Sequence, residues 1–312
     1  MATHDTTVGA QPGPIRLRAE RRRWGEDVVK GVLALCALVS VLTTVGIIIA
    51  LLEPSIEFFR EVSIVDFFTG ERWAPLFEPA SFGVQPLLVG TLAVTFWACV
   101  VALPLGLACA IYLSEYARPR VRRTLKPALE VLAGIPTVVF GFFALTFFTP
   151  FLNDLGVGVS TFNVLAAGLV MGVMLIPTVA SISEDAMSAV PQELRDGAYG
   201  LGATRLQVST RIVVPAAVSG IIASYVLAVS RAVGETMIVL IAAGGIAQIT
   251  ADPREPAQTM TAFIGATGLG DVPTGSIEYK TIFAVGLTLF VITFAMNMIS
   301  IRLVRKFREI YE

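Results

Sequence analysis

The sequence predicts an all-α membrane protein with six transmembrane helices and with both termini in the cytosol. Three observations lead to this fold class. Hydrophobic residues make up 55% of the 312 residues, whereas Asp, Glu, Lys and Arg together make up only 15%. A typical soluble domain carries about 25% charged residues. The charges also cluster between long uncharged segments, and the basic residues are concentrated on one side of the membrane that these segments define.

Each uncharged segment is long enough to cross a membrane, for which a helix needs about 20 apolar residues. The first segment is longer than the apolar part of a signal peptide and lacks an evident cleavage site, so it is predicted to be a permanent helix. The fifth is interrupted only by Arg231 and Glu235. The predicted spans are about 31–52, 87–113, 129–150, 161–183, 215–245 and 281–303.

The distribution of basic residues fixes the predicted orientation. With a cytosolic N-terminus, 18 Lys and Arg residues lie inside and only four lie outside, as the positive-inside rule requires. A basic tail (1–27) precedes the transmembrane domain (28–308). The arginines of this tail are expected to set topology and contact lipid headgroups of the bilayer rather than bind nucleic acid.

Two connecting segments are large enough to carry a function. The first, 53–85, is predicted to be extracytoplasmic, and its aromatic residues among acids indicate a position at the membrane interface. The second, 184–214, is predicted to be cytosolic, and Glu184 and Asp185 at its start are expected to be solvated charges at a helix end. The extracytoplasmic loops hold eleven acidic residues in all, so we expect them to dock a carrier protein rather than capture an anion.

The 184–214 segment, called the coupling loop below, is predicted to form a helix–turn–helix. Pro191 suits the first turn of a helix over 192–199, because its missing N–H costs nothing there. Gly200 and Gly202 then interrupt the helix, and a second one follows over 203–212. Apolar side chains on one side of such a hairpin can dock in a groove of a partner, and those expected here are Leu194, Ala198 and Leu201.

The coupling loop resembles the EAA motif of ABC importer permeases, with its spacing kept throughout. Asp196 stands where the motif has Glu, and Gly197 stands where it has Ala, which loosens the first helix by about 1 kcal/mol. In the family this loop inserts into the ATP-binding subunit. The resemblance implies ATPase coupling for Glu193, Asp196, Gly197, Ala198, Gly202, Ile212 and Pro215.

The sequence has no recognisable ATP-binding motif of its own. A P-loop needs a lysine directly after a glycine, and none of the four lysines is in that position. The chain is therefore predicted not to be an enzyme and to hold no cofactor or metal. The resemblance implies that two partner ATP-binding subunits carry ATP and Mg²⁺.

The charges inside the fifth segment have two interpretations. If this span is one helix, Arg231 and Glu235 lie four residues apart on the same face. They can form an ion pair that neutralises itself and helps to pack the bundle. Alternatively, Arg231 can bind an oxyanion, since a guanidinium fork matches phosphate oxygens in two parallel hydrogen bonds.

The stretch Arg-Ala-Val-Gly-Glu-Thr-Met at 231–237 is similar to a segment of the phosphate-specific (Pst-type) permeases, as are 86–92 and 134–141. The long first outside segment resembles the PstC-type subunit. This resemblance implies the type I (MetI-like) permease fold, a bacterial cell membrane, and a phosphate path that includes Arg231, Glu235 and Thr236. It also implies three kinds of partner: a PstA-type second permease, two ATP-binding subunits and an extracytoplasmic phosphate-binding protein.

Other functions remain open on the sequence. A permease for sulfate, molybdate or phosphonate would share the same coupling loop. A channel or a secondary transporter would not need that loop. A membrane enzyme would need a cluster of reactive side chains at a membrane face, whereas the sole histidine, His4, lies in the tail.

Overall fold

The computed structural model describes residues 24–307, and nearly all of its ordered elements are helices. The described residues divide into two units, one that ends at Ala50 and one that begins at Leu51. The predicted tail up to residue 23 lies outside the described residues. The helices are α1 (Trp24–Glu61), α2 (Ile64–Thr69), α3 (Gln85–Ile111), α4 (Pro119–Ala133), α5 (Thr137–Phe143), α6 (Thr149–Asp154), α7 (Val164–Ser188), α8 (Gln192–Gly200), α9 (Arg205–Val208), α10 (Val214–Ala216), α11 (Val218–Gly234), α12 (Met237–Ala242), α13 (Met260–Gly268) and α14 (Ile277–Phe307).

Five helical segments are long and apolar enough to cross a membrane, and a sixth is counted only if a bent pair forms one span. The bent pair is Arg205–Ala216 and Val218–Gly234, with 71° between its two halves. The third segment differs from the predicted 129–150, because α4 ends at Ala133 and the next helix begins at Thr137. Pro136 has extended backbone between them, as expected where proline prevents a helix from continuing.

The first part of α1 is apolar on all sides. From residue 31 to residue 50 it has no charged side chain, and nearly all of its side chains are exposed. A helix of this composition suits contact with lipid. Helix α1 as a whole is longer than the predicted span 31–52 and continues to Glu61.

The segment predicted to lie at the membrane interface packs several of its aromatic residues against one another, and its position relative to the membrane stays a prediction. Phe58, Phe67 and Trp73 are buried, with at most 5% of their surface exposed. The ring of Trp73 meets that of Phe263 edge-on, with 4.9 Å between centroids. A short hairpin, β1 (Trp73–Ala74) and β2 (Ser81–Phe82), pairs antiparallel beside them. Residues 53–85 therefore bury much of their aromatic surface in the protein.

Helices α3 and α7 approach each other very closely because glycines lie at their contact. A Cβ built at Gly172 of α7 would lie 2.7 Å from the carbonyl oxygen of Ala98, and one at Gly168 would lie 2.6 Å from the Cβ of Trp97. On α3, a Cβ at Gly106 would lie 2.5 Å from that of Val179. Small residues allow membrane helices to approach in this way, so α3 and α7 form one tightly packed pair.

Candidate functional site

The coupling loop forms the predicted helix–turn–helix. Helix α8 ends at Gly200, and Gly202 adopts a left-handed conformation with a φ of +81°, which glycine tolerates without steric cost. Thr204 then caps α9 by a capping box. Its hydroxyl accepts from the N–H of Gln207 at 3.3 Å, and the Gln207 side chain accepts from the N–H of Thr204 at 2.8 Å.

One face of this loop is open and the other is packed inward. Leu201 is 91% exposed, and Leu194 is exposed as well. Ala198 was expected beside them, but it is only 8% exposed. It packs instead in an apolar cluster with Met187 and Val208. Ala198 lies three residues after the buried Arg195, so both are on the inner face of α8. Ala198 therefore anchors the loop rather than offering a docking contact.

The remaining predicted coupling residues are distributed along the same loop. Glu193, Asp196 and Gly197 are exposed. The Asp196 carboxylate accepts a hydrogen bond from the Gln192 amide at 3.1 Å, and a Cβ at Gly197 would meet nothing within 4 Å. At the far end, Ile212 is half-buried and Pro215 is exposed next to the 71° bend.

The fifth predicted span is broken at the residues that carry its charges. Helix α11 ends at Gly234, Glu235 has extended backbone (φ −65°, ψ 134°), and α12 begins at Met237. Arg231 and Glu235 therefore do not share a helical face, and the expectation of one continuous helix over 215–245 is wrong. The sequence signal for this break is Gly234 inside an apolar run.

Arg231 lies in the last turn of α11, about 20 Å along the helix from Val218. Its guanidinium is exposed on the surface of the single chain, and its Nη1 lies 3.4 Å from the hydroxyl of Thr178 on α7. Within residues 24–307 it forms no ion pair with Glu235 or any other acid. The negative end of the helix dipole favours a cation here. Most N–H donors of the Arg231 guanidinium remain available to a ligand.

The side chain of Glu235 does not contact Arg231 but caps the N-terminus of α12. Its Oε1 accepts from the backbone N–H groups of Met237 at 3.0 Å and Ile238 at 3.4 Å. The residue is 9% exposed, and its backbone carbonyl accepts from the hydroxyl of Thr261 at 2.6 Å. The neighbouring Thr236 is half-buried, and its hydroxyl donates to the carbonyl of Gly234 at 3.3 Å. Because a carboxylate already occupies the positive end of α12, Arg231 is the group at this break that can bind an anion.

Comparison with known proteins identifies the family. The family described as "Binding-protein-dependent transport system inner membrane component" matches residues 102–309. The phosphate transport system permease protein PstC of Mesorhizobium japonicum is 34% identical over 75% of this chain and 76% of its own length. PstC of Haemophilus influenzae is 30% identical over 92% of this chain and 95% of its own. The chain belongs to this family, and within it to the PstC-type permeases.

Other similarities agree with this membership. The probable ABC transporter permease YqgH of Bacillus subtilis is 36% identical over 89% of this permease and 91% of its own length. Among solved structures, a chain of the bacterial alginate ABC transporter aligns over 92% of this permease and 98% of its own length, with a TM-score of 0.63 and 15% identity. A chain of the MetNI methionine transporter aligns over 73% and 95%, with a TM-score of 0.54 and 19% identity. These two likenesses show the fold of ABC importer permeases.

Two buried charges of the permease were not assigned a role from the sequence. Arg195, on the inner face of α8, has a side chain only 11% exposed and contacts Glu115 at 3.2 Å, whose side chain is 6% exposed. Glu184 was expected to be solvated, yet its side chain is 1% exposed. No local pattern identifies them, because their partners are 80 and 62 residues away in sequence.

Glu184 is held by two cations from α4. It accepts from the Arg122 guanidinium, and Lys126 Nζ lies 2.8 Å from its Oε2 and 3.0 Å from the exposed Asp185. The hydrogen bonds from Lys126 to Glu184 and Asp185 raise the pKa of the lysine. None of the residues of α4 is buried, so these ion pairs attach α4 to the end of α7 beside the partly buried contact of Leu132 with the apolar core.

Proposed function

We propose that this permease subunit translocates inorganic phosphate across a bacterial cell membrane, driven by ATP hydrolysis on partner subunits. The observation that carries the proposal is Arg231, a guanidinium with no acidic partner within residues 24–307, at a helix break inside the segment that resembles the phosphate-specific permeases. The relatives named PstC are phosphate transport permeases, and their names support phosphate as the substrate here.

The position of Arg231 supports a conduit at the surface of this chain. A charged residue at membrane depth is costly against lipid and faces a water-filled path or another protein instead. Arg231 is exposed in the single chain. A second permease subunit of the PstA type would cover this face, and the phosphate path would lie between the two subunits.

The coupling loop supports the division of labour. Its exposed leucines, Leu194 and Leu201, would dock in a groove on an ATPase subunit. Each of the two permease subunits would bind one ATPase subunit in this way. ATP and Mg²⁺ would bind on those partners. A phosphate-binding protein would deliver the substrate to the acidic extracytoplasmic loops, and closure of the ATPases would switch the spans from inward-open to outward-open.

Glu235 contributes to selectivity in this proposal. Monohydrogen phosphate carries a proton near pH 7 and sulfate does not, so a carboxylate can accept a hydrogen bond from phosphate but repels sulfate. The backbone contacts of Glu235 use Oε1, which leaves its other oxygen for the substrate. Arg231 would bind the oxyanion at the same time.

The test is phosphate uptake into proteoliposomes that contain the whole complex and the binding protein. We expect uptake to require ATP and to resist a tenfold excess of sulfate. Glu235→Gln keeps an oxygen that can cap α12 but removes the charge, so it is expected to reduce discrimination against sulfate. Stronger competition by sulfate than by phosphate in the wild type would assign the chain to another oxyanion, and unchanged discrimination in Glu235→Gln would remove the selectivity role.

A further inference from the structure

The guanidinium of Arg195 is the point at which three segments of the permease meet. Its Nη1 donates to the carbonyl of Val190 at 2.6 Å, and its Nη2 donates to the carbonyl of Met187 at 2.8 Å and to Glu115 at 3.2 Å. Met187 lies in the last turn of α7, and Glu115 lies in the π-helical turn that continues α3. Arg195 itself belongs to α8 of the coupling loop.

This arrangement fits an arginine and no other cation. The guanidinium is planar and presents several donors in fixed directions, whereas a lysine ammonium is a point charge on a flexible stem. The carbonyl groups at the C-terminal end of a helix also attract a cation. Glu115, almost fully buried, supplies the compensating charge. Arg195 therefore fixes the orientation of α8 against the ends of both α7 and α3.

The two faces of α8 place this contact on the route of any applied force. The buried residues of α8 are Arg195 and Ala198, while Leu194 and the following Leu201 face outward. A push on the outer face of α8 reaches the bundle through these two inner side chains as well as along the backbone that joins α8 to its neighbouring helices. The methyl group of Ala198 makes apolar contacts without direction, whereas the three hydrogen bonds of Arg195 define both distance and angle.

Between Arg195 and Arg231, helices α3, α7 and α11 are connected by direct contacts. The glycine contacts pack α3 and α7 as one pair. Further along α7, the Ser183 hydroxyl lies 2.8 Å from that of Ser224 on α11, and Thr178 lies 3.4 Å from Arg231. A displacement of the α7 end at Met187 is thus passed along a packed helix to the break that carries Arg231.

We infer that Arg195 is a positioning residue that transmits movement of the coupling loop to the α3–α7 pair, and so links ATP hydrolysis to opening of the substrate path. This inference rests on the proposed function, since it requires an ATPase that docks on the loop. Arg195 touches neither substrate nor nucleotide. Its loss uncouples the two processes rather than abolishing either one.

The experiment measures phosphate transported per ATP hydrolysed by the assembled complex in proteoliposomes. Arg195→Gln is expected to lower this ratio roughly tenfold, within the range usual for coupling between sites, while ATP hydrolysis continues. Glu115→Gln keeps a hydrogen-bond acceptor but removes the charge, so it should lower the ratio about threefold, since charge-assisted hydrogen bonds are about twice as strong as neutral ones. The matched control is Arg123→Gln, an exposed arginine of α4 that forms no ion pair within residues 24–307, and it should leave the ratio unchanged.

A purely structural role would give a different result. It would reduce the amount of assembled complex, and with it hydrolysis and uptake in parallel, so the ratio would stay constant. An assembled Arg195→Gln complex with the wild-type ratio overturns the inference. If that variant does not assemble, Arg195→Lys and Glu115→Gln decide instead, and unchanged ratios in both overturn it. Absence of ATP-driven phosphate uptake by the wild-type complex would refute the proposed function, and this is visible before any variant is compared.

Discussion

The coupling end of α7 and the break between α11 and α12 both carry charged side chains, but their charges are arranged in opposite ways. At the end of α7, Glu184 is buried between Arg122 and Lys126, and a second buried pair joins Arg195 to its own acid. At the break, Arg231 is exposed and has no acidic partner within residues 24–307, while Glu235 binds backbone amides.

This difference distinguishes charges that hold the structure from a charge that can bind a ligand. A buried charge must be paired and hydrogen-bonded, because leaving it unpaired is very costly. Once paired, it fixes the position of its helix and has no capacity for another ion. Arg231 retains that capacity because it is exposed on a face that we expect to line a conduit.

The largest effect is expected at Arg231. Arg231→Ala removes the fork that would bind the oxyanion, and loss of one partner of a charged hydrogen-bonded pair typically costs 2–5 kcal/mol. Phosphate uptake by the assembled complex should therefore fall roughly 100-fold. Arg231→Lys, which keeps the charge without the fork, should retain more uptake than the alanine variant. Full transport by Arg231→Ala would contradict the assignment of this residue to the substrate path.

Glu184→Gln should affect stability rather than substrate binding. The variant leaves Arg122 and Lys126 without their buried acid, but their side chains are 41% and 32% exposed and can be hydrated. We therefore expect a loss of only about 2 kcal/mol, the value of hydrogen bonds to a charged group, seen as a lower Tm of the purified protein. The control is Asp185→Asn at a 65% exposed carboxylate, for which the change should be below about 0.5 kcal/mol. Equal shifts in the two variants would refute the distinction.

Two glycine substitutions test the packed connection between these regions. Gly172→Ala forces a methyl group within 2.7 Å of the backbone of α3, and overpacking of this kind costs about 1–3 kcal/mol. Gly197→Ala meets nothing within 4 Å on α8 and should stabilise the helix by about 0.5–1 kcal/mol. Thermal unfolding of both variants should give shifts of opposite sign. A stabilised Gly172→Ala variant would show that α3 and α7 are not closely packed.

The smallest effect is a pH dependence from Lys126. Hydrogen bonds from Lys126 to Glu184 and Asp185 raise the pKa of the lysine above its usual 10.5. A raised folded-state pKa means that its contribution to stability is complete below the unfolded value and is lost as pH rises through the folded value. The Tm difference between wild type and Lys126→Met should thus be constant near neutral pH and shrink above about pH 10.5. A difference that grows with pH would show that the lysine is not stabilised by these acids.

Much of the fold could be predicted because hydropathy, spacing and charge are local properties of a sequence. The apolar segments gave the approximate positions of most of the helices that can cross a membrane, and the family model and the solved structures confirm the permease fold. Pro191, Gly200 and Gly202 predicted the helix–turn–helix of the coupling loop. The orientation from basic residues and the roles of the coupling residues stay predictions.

The errors have a common cause. Ala198 and Glu184 were both judged from their neighbours in sequence, and each is buried against residues that are distant along the chain. The break at Glu235 was missed because hydropathy averages over a window and does not register a single residue of extended backbone. Gly234 was present as a signal, but glycine inside an apolar run also occurs in unbroken helices.

By itself the sequence determined that this is a polytopic helical membrane protein, that its coupling loop follows a permease spacing, and that Arg231 stands within an apolar segment. Only the tertiary structure decided which charged side chains form ion pairs with each other. Whether a charge is paired depends on packing between helices, as in the contact from Arg195 to Glu115 across 80 residues, and no local window contains that information. The same structure separated Arg231 from Glu235 by ending a helix between them, which leaves the guanidinium open to an anion.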